Sequence, residues 1–467
     1  MTETTASAAG SWRELLGRDY LGAVVVLAGG VAIYATNEFI TISLLPSAVA
    51  DIGGERLYAW VTTVYLVASV MAATTVGSML TRFGPRTAYL GALLSFAAGS
   101  ALCTLAPTMQ LLLVGRVVQG LAGGVLAGLG YAVISAAMPD RLWTRASAVV
   151  SAMWGIGTLV GPATGGLFAQ FGFWRGGFGM LAILAVAMSL LVPLALPART
   201  QSDQEMARTR IPVRSLLLLG MAALAVSVAV IPHSAAAIGG LLAVGVTLVL
   251  VFIVVDRRVS AAVLPRKAFE PGPLKWIYLT LGLLMAATMV DMYVPLFGQR
   301  LGALAPVVAG FLGAALSVGW TVGEIASASI TNARVTVRVV AIAPLVMATG
   351  LALAAFTQTD SASTRIVALW ALALVITGAG IGMAWPHLSA WAMGAVVDDP
   401  AQQAVAAAAI NTVQLMCGAF GAGLAGVVVN LRAAPDATAS SLMFGAFAVL
   451  AVVGCVASYR SGRGQAH

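Results

Sequence analysis

A chain of 467 residues that is 60% hydrophobic and 9% charged, with mean hydropathy +0.96, lies far from the roughly 25% charge of a soluble domain, and a large soluble all-α protein is excluded because most of its surface would be bare apolar side chains. The net charge of +8 does not point to nucleic acid, since the basic residues sit in short segments between apolar runs and form no stripe on a soluble helix. Cys103, Cys417 and Cys455 fall inside apolar segments at no metal or redox spacing and read as small core residues, while His233, His387 and His467 are too scattered for a metal site; no metal or cofactor is expected.

Residues 1–19 are polar and mixed in charge, and the apolar run after them is too long for the core of a signal peptide. Runs long enough to cross about 30 Å of hydrocarbon then follow at 20–46, 58–80, 87–106, 110–135, 144–169 and 177–196. Two more, 214–232 and 237–256, are set apart by longer polar segments at 197–213 and 257–273. The last six are 274–298, 305–330, 335–357, 364–388, 401–430 and 440–458, before a tail at 459–467. The expected architecture is an all-α membrane protein of fourteen spans. An N-terminal six-helix bundle (20–196) and a C-terminal six-helix bundle (274–458) flank an inserted helix pair (214–256). Six-plus-six halves place a site near the bilayer midplane, between the halves.

An even span count puts both ends on one side, and Lys and Arg choose the side. With the N-terminus inside, the cytoplasmic segments carry nineteen basic residues and the outer loops five, Arg56, Arg175, Arg300, Arg365 and Arg432. This is the positive-inside pattern. The segments 1–19, 197–213, 257–273 and 459–467 are therefore expected in the cytoplasm, in a multi-pass protein of the bacterial inner membrane. The twenty-fifth basic residue, Arg116, lies inside the fourth span.

Charge within the hydrocarbon is sparse: Glu38, Arg116, Asp291 and Glu324. Each costs at least about 2.5–3.5 kcal/mol at the bilayer centre, so such groups usually face a partner or a cavity. Glu38 and Arg116 read either as a fixed ion pair between the first and fourth spans or as a protonation switch. Burial disfavours a charged carboxylate and a neighbouring guanidinium favours it, so the balance can tip as a cavity opens. Asp291 occupies the second-half counterpart of the first span. Glu324 reads equally as a coupling acid or as a carboxylate near a helix end. Tyr34, Glu38 and Thr41 share a helix stripe, as do Arg116, Gln119 and Gly120, and Asn411, Gln414 and Gly418. Asn37, Tyr65, Met153, Trp154, Tyr293 and Trp320 are further cavity candidates, with simple packing as the alternative reading. Glycines cluster within helices: Gly157, Gly161, Pro162, Gly165 and Gly166 combine small residues at fourfold spacing with one proline that permits a bend.

On these residues the sequence resembles the major facilitator superfamily, and within it the fourteen-helix drug:proton antiporters, over essentially the whole chain. Gly161-Pro162-Ala-Thr-Gly165-Gly166 looks like the antiporter motif of helix 5. Arg116-Val-Val-Gln119-Gly120 resembles the helix 4 motif whose arginine is associated with proton coupling. Gly77-Ser-Met-Leu-Thr81-Arg82-Phe-Gly84-Pro-Arg86 resembles the motif of loop 2–3. Trp60-Val-Thr-Thr-Val-Tyr65, Leu264-Pro265-Arg266-Lys267-Ala-Phe269 and Asn411-Thr-Val-Gln414-Leu-Met-Cys-Gly418 are similar to the start of helix 2, the amphipathic segment after the inserted pair and a second-half helix. The closest likeness is to mycobacterial multidrug efflux proteins. Two positions depart from the pattern. The aspartate that stands nine residues before the helix 1 proline is Asn37 here, ahead of Pro46, with the acid moved to Glu38. The loop 2–3 aspartate is Thr81. With that charge absent, Arg82 or Arg86 is expected to pair with Asp398 or Asp399 across the halves, unless these are ordinary solvated loop charges.

The resemblance implies proton-coupled efflux of hydrophobic or cationic small molecules, with protons, membrane lipids and those substrates as partners, acting as a monomer. Export of a native lipid or glycolipid is the alternative, and proton-coupled uptake is disfavoured by the helix 5 pattern. No nucleophile, base or metal cluster appears at membrane depth, so an enzyme is not expected.

The span count is directly testable. Reporter fusions at residue 235 are expected to read outside, and fusions at 205 and 265 inside. An inside readout at 235 removes the inserted pair from the membrane and leaves twelve spans.

Overall fold

A computed structural model describes residues 11–197, 211–232, 234–259, 261–330, 332–396, 400–431 and 436–463. Asp398, Asp399, His233 and most of the 197–213 segment lie outside the described residues, and Thr81 is described for its backbone alone. Every regular element among the described residues is helical. This is what hydrocarbon demands, because a backbone without water must bond within its own segment.

The first half contains a short α1 (Trp12–Leu15), α2 (Arg18–Ile52), α3 (Tyr58–Ala73), α4 (Val76–Thr104), α5 (Met109–Ala132), a short α6 (Ile134–Ala137), α7 (Asp140–Gln170) and α8 (Trp174–Ala195). The insert is α9 (Val213–Val228) and α10 (Ala235–Asp256). In the second half α11 (Leu274–Thr288) passes through a 3-10 turn, Met289–Tyr293, into α12 (Val294–Gly302). Then come α13 (Pro306–Ala328), α14 (Ala333–Phe356), α15 (Thr364–Gly394), α16 (Pro400–Asn430) and α17 (Asp436–Gly462). Among the described residues, thirteen helical stretches are long and apolar enough to cross a bilayer, α11 and α12 counting as one. The remaining expected span, α9, has 16 residues, about 24 Å at 1.5 Å per residue. The bundle's outside is apolar: Ile183, Leu190, Leu194 and Phe356 are all more than two-thirds exposed, as a lipid-facing surface requires.

Two expectations change in detail. The segment from Gly77 to Arg86 is not a loop. It is helical within α4 and broken once, at Gly84 (φ 75°, ψ 167°), before Pro85. A proline disfavours the helical conformation in the residue before it, and glycine alone takes a positive φ at little cost. The span expected over 274–298 is likewise interrupted, and Asp291 lies in the interruption.

Small residues set the helix spacing. An added Cβ at Gly157, Gly161 or Gly165 of α7 would lie within 2.4–2.8 Å of atoms of α2. Gly120 and Gly124 of α5 sit against the carbonyls of Tyr65 and Ser69 in α3, and Gly378 and Gly382 of α15 against those of Leu316 and Trp320 in α13. The same device is thus used once in each half. Between halves, Gly166 meets Val307, Gly310 meets Ser43, Gly426 meets Ala59 and Gly418 meets Leu66. Tyr58 donates its hydroxyl to the Met292 carbonyl at 3.1 Å and stacks on Tyr293 with ring centroids 4.7 Å apart. On the face opposite the N-terminus Arg300 of the second half pairs with Glu55 of the first and, at 3.1 Å, with Asp436. Toward the N-terminal face, a Cβ added at Gly155, seven residues before Pro162 on the same side of α7, would meet nothing within 4 Å.

The inserted α9 wedges between α3 and α16. Trp60 Nε1 donates to the Ser227 carbonyl at 2.9 Å, Ser227 Oγ to Thr63 Oγ1 at 3.2 Å, and Gly423 of α16 faces Ser227. The outer partner α10 buries only Gly245, Phe252 and Asp256. The Asp256 carboxylate accepts from the backbone N–H groups of Val263 and Leu264 at 2.8 and 2.9 Å, fixing the chain's return. At the N-terminal face α1 is tied to α7 by Glu14 and Arg141 at 2.6 Å. The Arg141 guanidinium holds the Glu14 carboxyl below its usual range.

Backbone contact at Gly378 leaves no room for a methyl: its Cβ would lie 1.8 Å from the Leu316 carbonyl oxygen. Gly378→Ala is therefore expected to lower stability by about 1–3 kcal/mol, the usual cost of overpacking, in thermal unfolding of the detergent-purified protein. Gly445→Ala, where a Cβ meets nothing within 4 Å, is expected to be neutral or stabilising, because alanine is the better helix former.

Candidate functional site

The first half gathers its polar groups around Arg116. This residue is 1% exposed, and its guanidinium has no carboxylate partner. Nη1 donates to Asn37 Oδ1 at 3.1 Å and to Gln119 Oε1 at 2.9 Å, and Nε donates to the Val61 carbonyl at 3.2 Å. Its carbon centre lies 4.1 Å from the centroid of the Tyr65 ring, a cation–π contact. Gln119 in turn donates to Ser100 Oγ at 2.8 Å. A charge in low dielectric is tolerable only when its donors are met, and here three helices supply acceptors.

The direct pair expected between Glu38 and Arg116 is not formed: none of the four ion pairs among the described residues joins them. Neighbouring residues on a helix point about 100° apart, so Asn37 and Glu38 cannot both face α5. Asn37 does, fully buried, and Glu38 is turned away and half-buried. The register shift read in the sequence therefore has a structural form. Asparagine holds the arginine, and the acid stands one step around the helix.

Around this centre Tyr34 stacks on Tyr65 at 5.9 Å and meets Trp154 edge-on at 5.6 Å. Gly123 leaves the space that Tyr34 fills. Thr41 donates to the Asn37 carbonyl at 2.6 Å and does not face open space. Tyr34, Asn37, Tyr65, Gln119 and Trp154 are thus brought together, with Thr41 just below.

In the second half Asp291 is half-buried within the 3-10 turn. Its neighbours Met292 and Tyr293 carry the joint to Tyr58, and Tyr293 also stacks on Phe297 at 6.0 Å. Glu324 and Trp320 form a separate group, the indole N–H donating to Glu324 Oε2 at 3.1 Å. On α16, Asn411 is exposed and Gln414 half-buried, both on the stripe that Gly418 presses against Leu66. The candidate residues form two clusters and a stripe around the space between the halves, and not one pocket.

The other motif residues are mostly spent within their own half. Arg86 donates to the Pro193 and Leu196 carbonyls at 2.5 and 3.1 Å, closing the C-terminal end of α8. Arg82 lies over the Phe83 ring at 5.2 Å. Gly77 is open, and Gly84 makes the break. The pairing proposed with Asp398 and Asp399 falls outside the described residues. Sequence reading missed Tyr58, Trp385 and the group formed by Glu55, Arg300 and Asp436. One signal was present: a basic residue in an outer loop departs from the positive-inside pattern, so Arg300 and Arg175 needed a reason. Arg175 pairs with Asp51 at 2.5 Å and donates to the Ala106 carbonyl at 2.9 Å.

Comparisons with known proteins bear on the family and the fold. The family model described as Major Facilitator Superfamily matches residues 27–422. A protein of Mycobacterium tuberculosis named a probable multidrug-efflux transporter is 61% identical over 465 residues, covering 99% of this chain and 98% of its own length. A multidrug transporter protein of Bacillus subtilis is 23% identical over 405 residues, 83% of this chain and 71% of its own. Among solved structures, a POT family transporter in complex with 5-aminolevulinic acid superposes with a TM-score of 0.67 at 12% identity, over 93% of this chain and 94% of its own, a likeness of fold alone.

The guanidinium's geometry predicts the effect of replacing it. Lysine offers a point charge and not a planar fork, so Arg116→Lys cannot serve Asn37, Gln119 and the Val61 carbonyl together. Each acceptor left unmet in a buried site costs about 1–3 kcal/mol. Arg116→Lys is expected to destabilise by that order in thermal unfolding. A melting curve equal to that of the unmodified protein would show that the network is not structural.

Proposed function

The chain belongs to the major facilitator superfamily, and on that footing we propose that it exports hydrophobic and cationic small molecules in exchange for protons, by alternating access. The export reading is carried by the likeness, over nearly the whole length, to a mycobacterial protein named for multidrug efflux. The coupling reading is supported by one observation: each half carries a half-buried carboxylate inside an apolar helical stretch, Glu38 in α2 and Asp291 in the turn between α11 and α12. The protein is a transporter and not an enzyme. It works as a monomer in the bacterial inner membrane, among lipids, with fourteen spans and both termini in the cytoplasm. The short α9 counts as a span because it is packed between α3 and α16, where Ser227 bonds to Trp60 and Thr63. The two six-helix bundles, 20–196 and 274–458, move against each other, and the pair at 214–256 rides between them.

With the N-terminal face in the cytoplasm, the contacts of Arg300, Tyr58 and Gly166 join the halves on the outer side, and the cycle opens the inner side in one state and the outer side in the other. A carboxylate that faces inward gives its proton to cytoplasmic water and leaves a negative charge near Arg116, which favours binding of a cation. In the outward-open state the same carboxylate takes a proton from the more acidic outside. Its charge is lost, the bound cation leaves, and the neutral form returns across the barrier at lower cost. Arg116 stays charged throughout and sets the local potential against which the carboxylate titrates.

The test uses everted membrane vesicles, whose cytoplasmic face is outward. An imposed acid interior is expected to drive accumulation of a cationic dye, and dissipating the pH gradient should release it. Glu38→Gln, permanently neutral, is expected to abolish gradient-driven accumulation. If Glu38→Gln accumulates dye as the unmodified protein does, the coupling role passes to Asp291. If the unmodified protein shows no response to the gradient, proton antiport is wrong.

A further inference from the structure

On α13, Gly310 meets Ser43 and the Pro162 carbonyl of the first half, and Gly313 meets Pro295 near the Asp291 carbonyl. The Gly310 contact identifies the side of α13 that faces the opposing half, while Gly313 rests on α12 of its own half. Helical spacing continues that side through Ser317, Thr321 and Glu324. Along that side Thr321 is exposed, and Ser317 and Glu324 are half-buried.

Glu324 has an unusual environment for a carboxylate. No Lys, Arg or His among the described residues forms an ion pair with it. The one histidine among the described residues, His387 on α15, has its Nε2 at 3.1 Å from the Ser327 carbonyl. Glu324 lies four residues before the last residue of α13, toward the negative end of the helix dipole, so it does not stabilise its own helix. Its one hydrogen bond comes from the Trp320 indole. Trp320 faces Trp385 of α15 with ring centroids 5.4 Å apart and planes tilted by 54°. Both rings are half-buried, and none of the side-chain cations that lie over aromatic rings in this protein lies over these two. The backbone that carries Trp320 and Glu324 is clamped by Gly382, whose Cβ would lie 2.1 Å from the Trp320 carbonyl oxygen and 3.0 Å from the Glu324 nitrogen. The group is held before any ligand arrives, which lowers the ordering cost of binding.

We infer that Trp320, Trp385 and Glu324 form a binding subsite for the charged group of an organic monocation, on the second-half wall of the cavity. Two indole faces attract a cation through the ring quadrupole, and the unpaired carboxylate supplies the opposite charge. A metal ion is excluded by the donors, since a hard divalent cation requires several oxygen ligands and only one carboxylate is present. Glu324 thus takes the cargo's charge, and Glu38 and Asp291 remain for the proton. The inference rests on the export reading, but binding can be tested without transport.

The probe is tetraphenylphosphonium, a permanent cation without a titratable group, measured by calorimetry on the purified protein, with uncharged chloramphenicol as the neutral comparison. The readout is the ratio of the two affinities. Glu324→Gln is expected to lower the cation-to-neutral ratio about tenfold, and Trp385→Leu to lower it several-fold. Glu324→Asp, which keeps the charge, and Trp385→Phe, which keeps a ring, are expected to recover most of it. The ratio is independent of how much protein is folded, so a poorly folding variant does not mimic the effect. An unchanged ratio in Glu324→Gln, or no cation binding by the unmodified protein, overturns the subsite. Glu324-dependent binding without gradient-driven transport in vesicles leaves the subsite standing and removes the export reading.

Discussion

The fold of the first half turns on a guanidinium that must be satisfied where no water is. Arg116 sits on α5 and draws its acceptors from α2, α3 and α5 itself, through Asn37, the Val61 carbonyl and Gln119. Three helices are therefore held in register by one side chain. The small residues around it follow from that demand. Gly120 brings α5 onto the Tyr65 carbonyl, Gly123 admits the Tyr34 ring, and Gly99 approaches Gln119. A larger residue at any of these would push an acceptor away from the charge. A buried cation joined to neutral acceptors keeps its full positive charge in the cavity wall, which a salt bridge would have cancelled.

Comparing the halves shows what is shared and what is specialised. Gly120 and Gly124 press on Tyr65 and Ser69, and Gly378 and Gly382 press on Leu316 and Trp320. The matching position four residues before the first glycine of each pair is Arg116 in one half and Leu374 in the other, both almost wholly buried. The packing device has been kept, while the group it supports differs. One half carries a fixed cation with polar acceptors. The other carries an aromatic pair with a free carboxylate. Charges of opposite sign are thus built into the two halves, at different depths along their helices.

Much of this was legible in the sequence because membrane proteins obey few rules. Charge-free runs marked the stretches long and apolar enough to span, and fourfold glycine spacing marked α7 as a helix that packs closely. Two kinds of feature were not legible. One is register within a single turn: Asn37 and Glu38 are adjacent, and only the packing of α2 on α5 decides which meets Arg116. The other is pairing at long range: Arg300 reaches Glu55 and Asp436 across separations of 245 and 136 residues, and Trp320 meets Trp385 on another helix. Breaks in helices also escaped notice. Composition says that 274–298 is apolar enough to span and says nothing about a 3-10 turn at Met289–Tyr293.

That turn connects the chemistry to the motion. A 3-10 stretch has poorer hydrogen-bond geometry than an α-helix, and the Met292 carbonyl within it accepts from Tyr58 of the opposite half. The joint on the face opposite the N-terminus therefore includes a backbone group next to Asp291, with the Arg300 ion pairs one to two turns farther along α12. Exposed pairs of this kind contribute only about 0–1 kcal/mol each, so they bias the closed arrangement without locking it. A small bias is what an exchanger needs. If the joint were strong, gain or loss of one proton could not reverse it; if it were absent, the two faces would open together and the gradient would leak. The Arg300 ion pairs, the broken helix and Asp291 all lie within a short segment, Met289 to Arg300, where the proposed closure can be controlled. The rigid glycine-packed pairs on either side can then move as bodies.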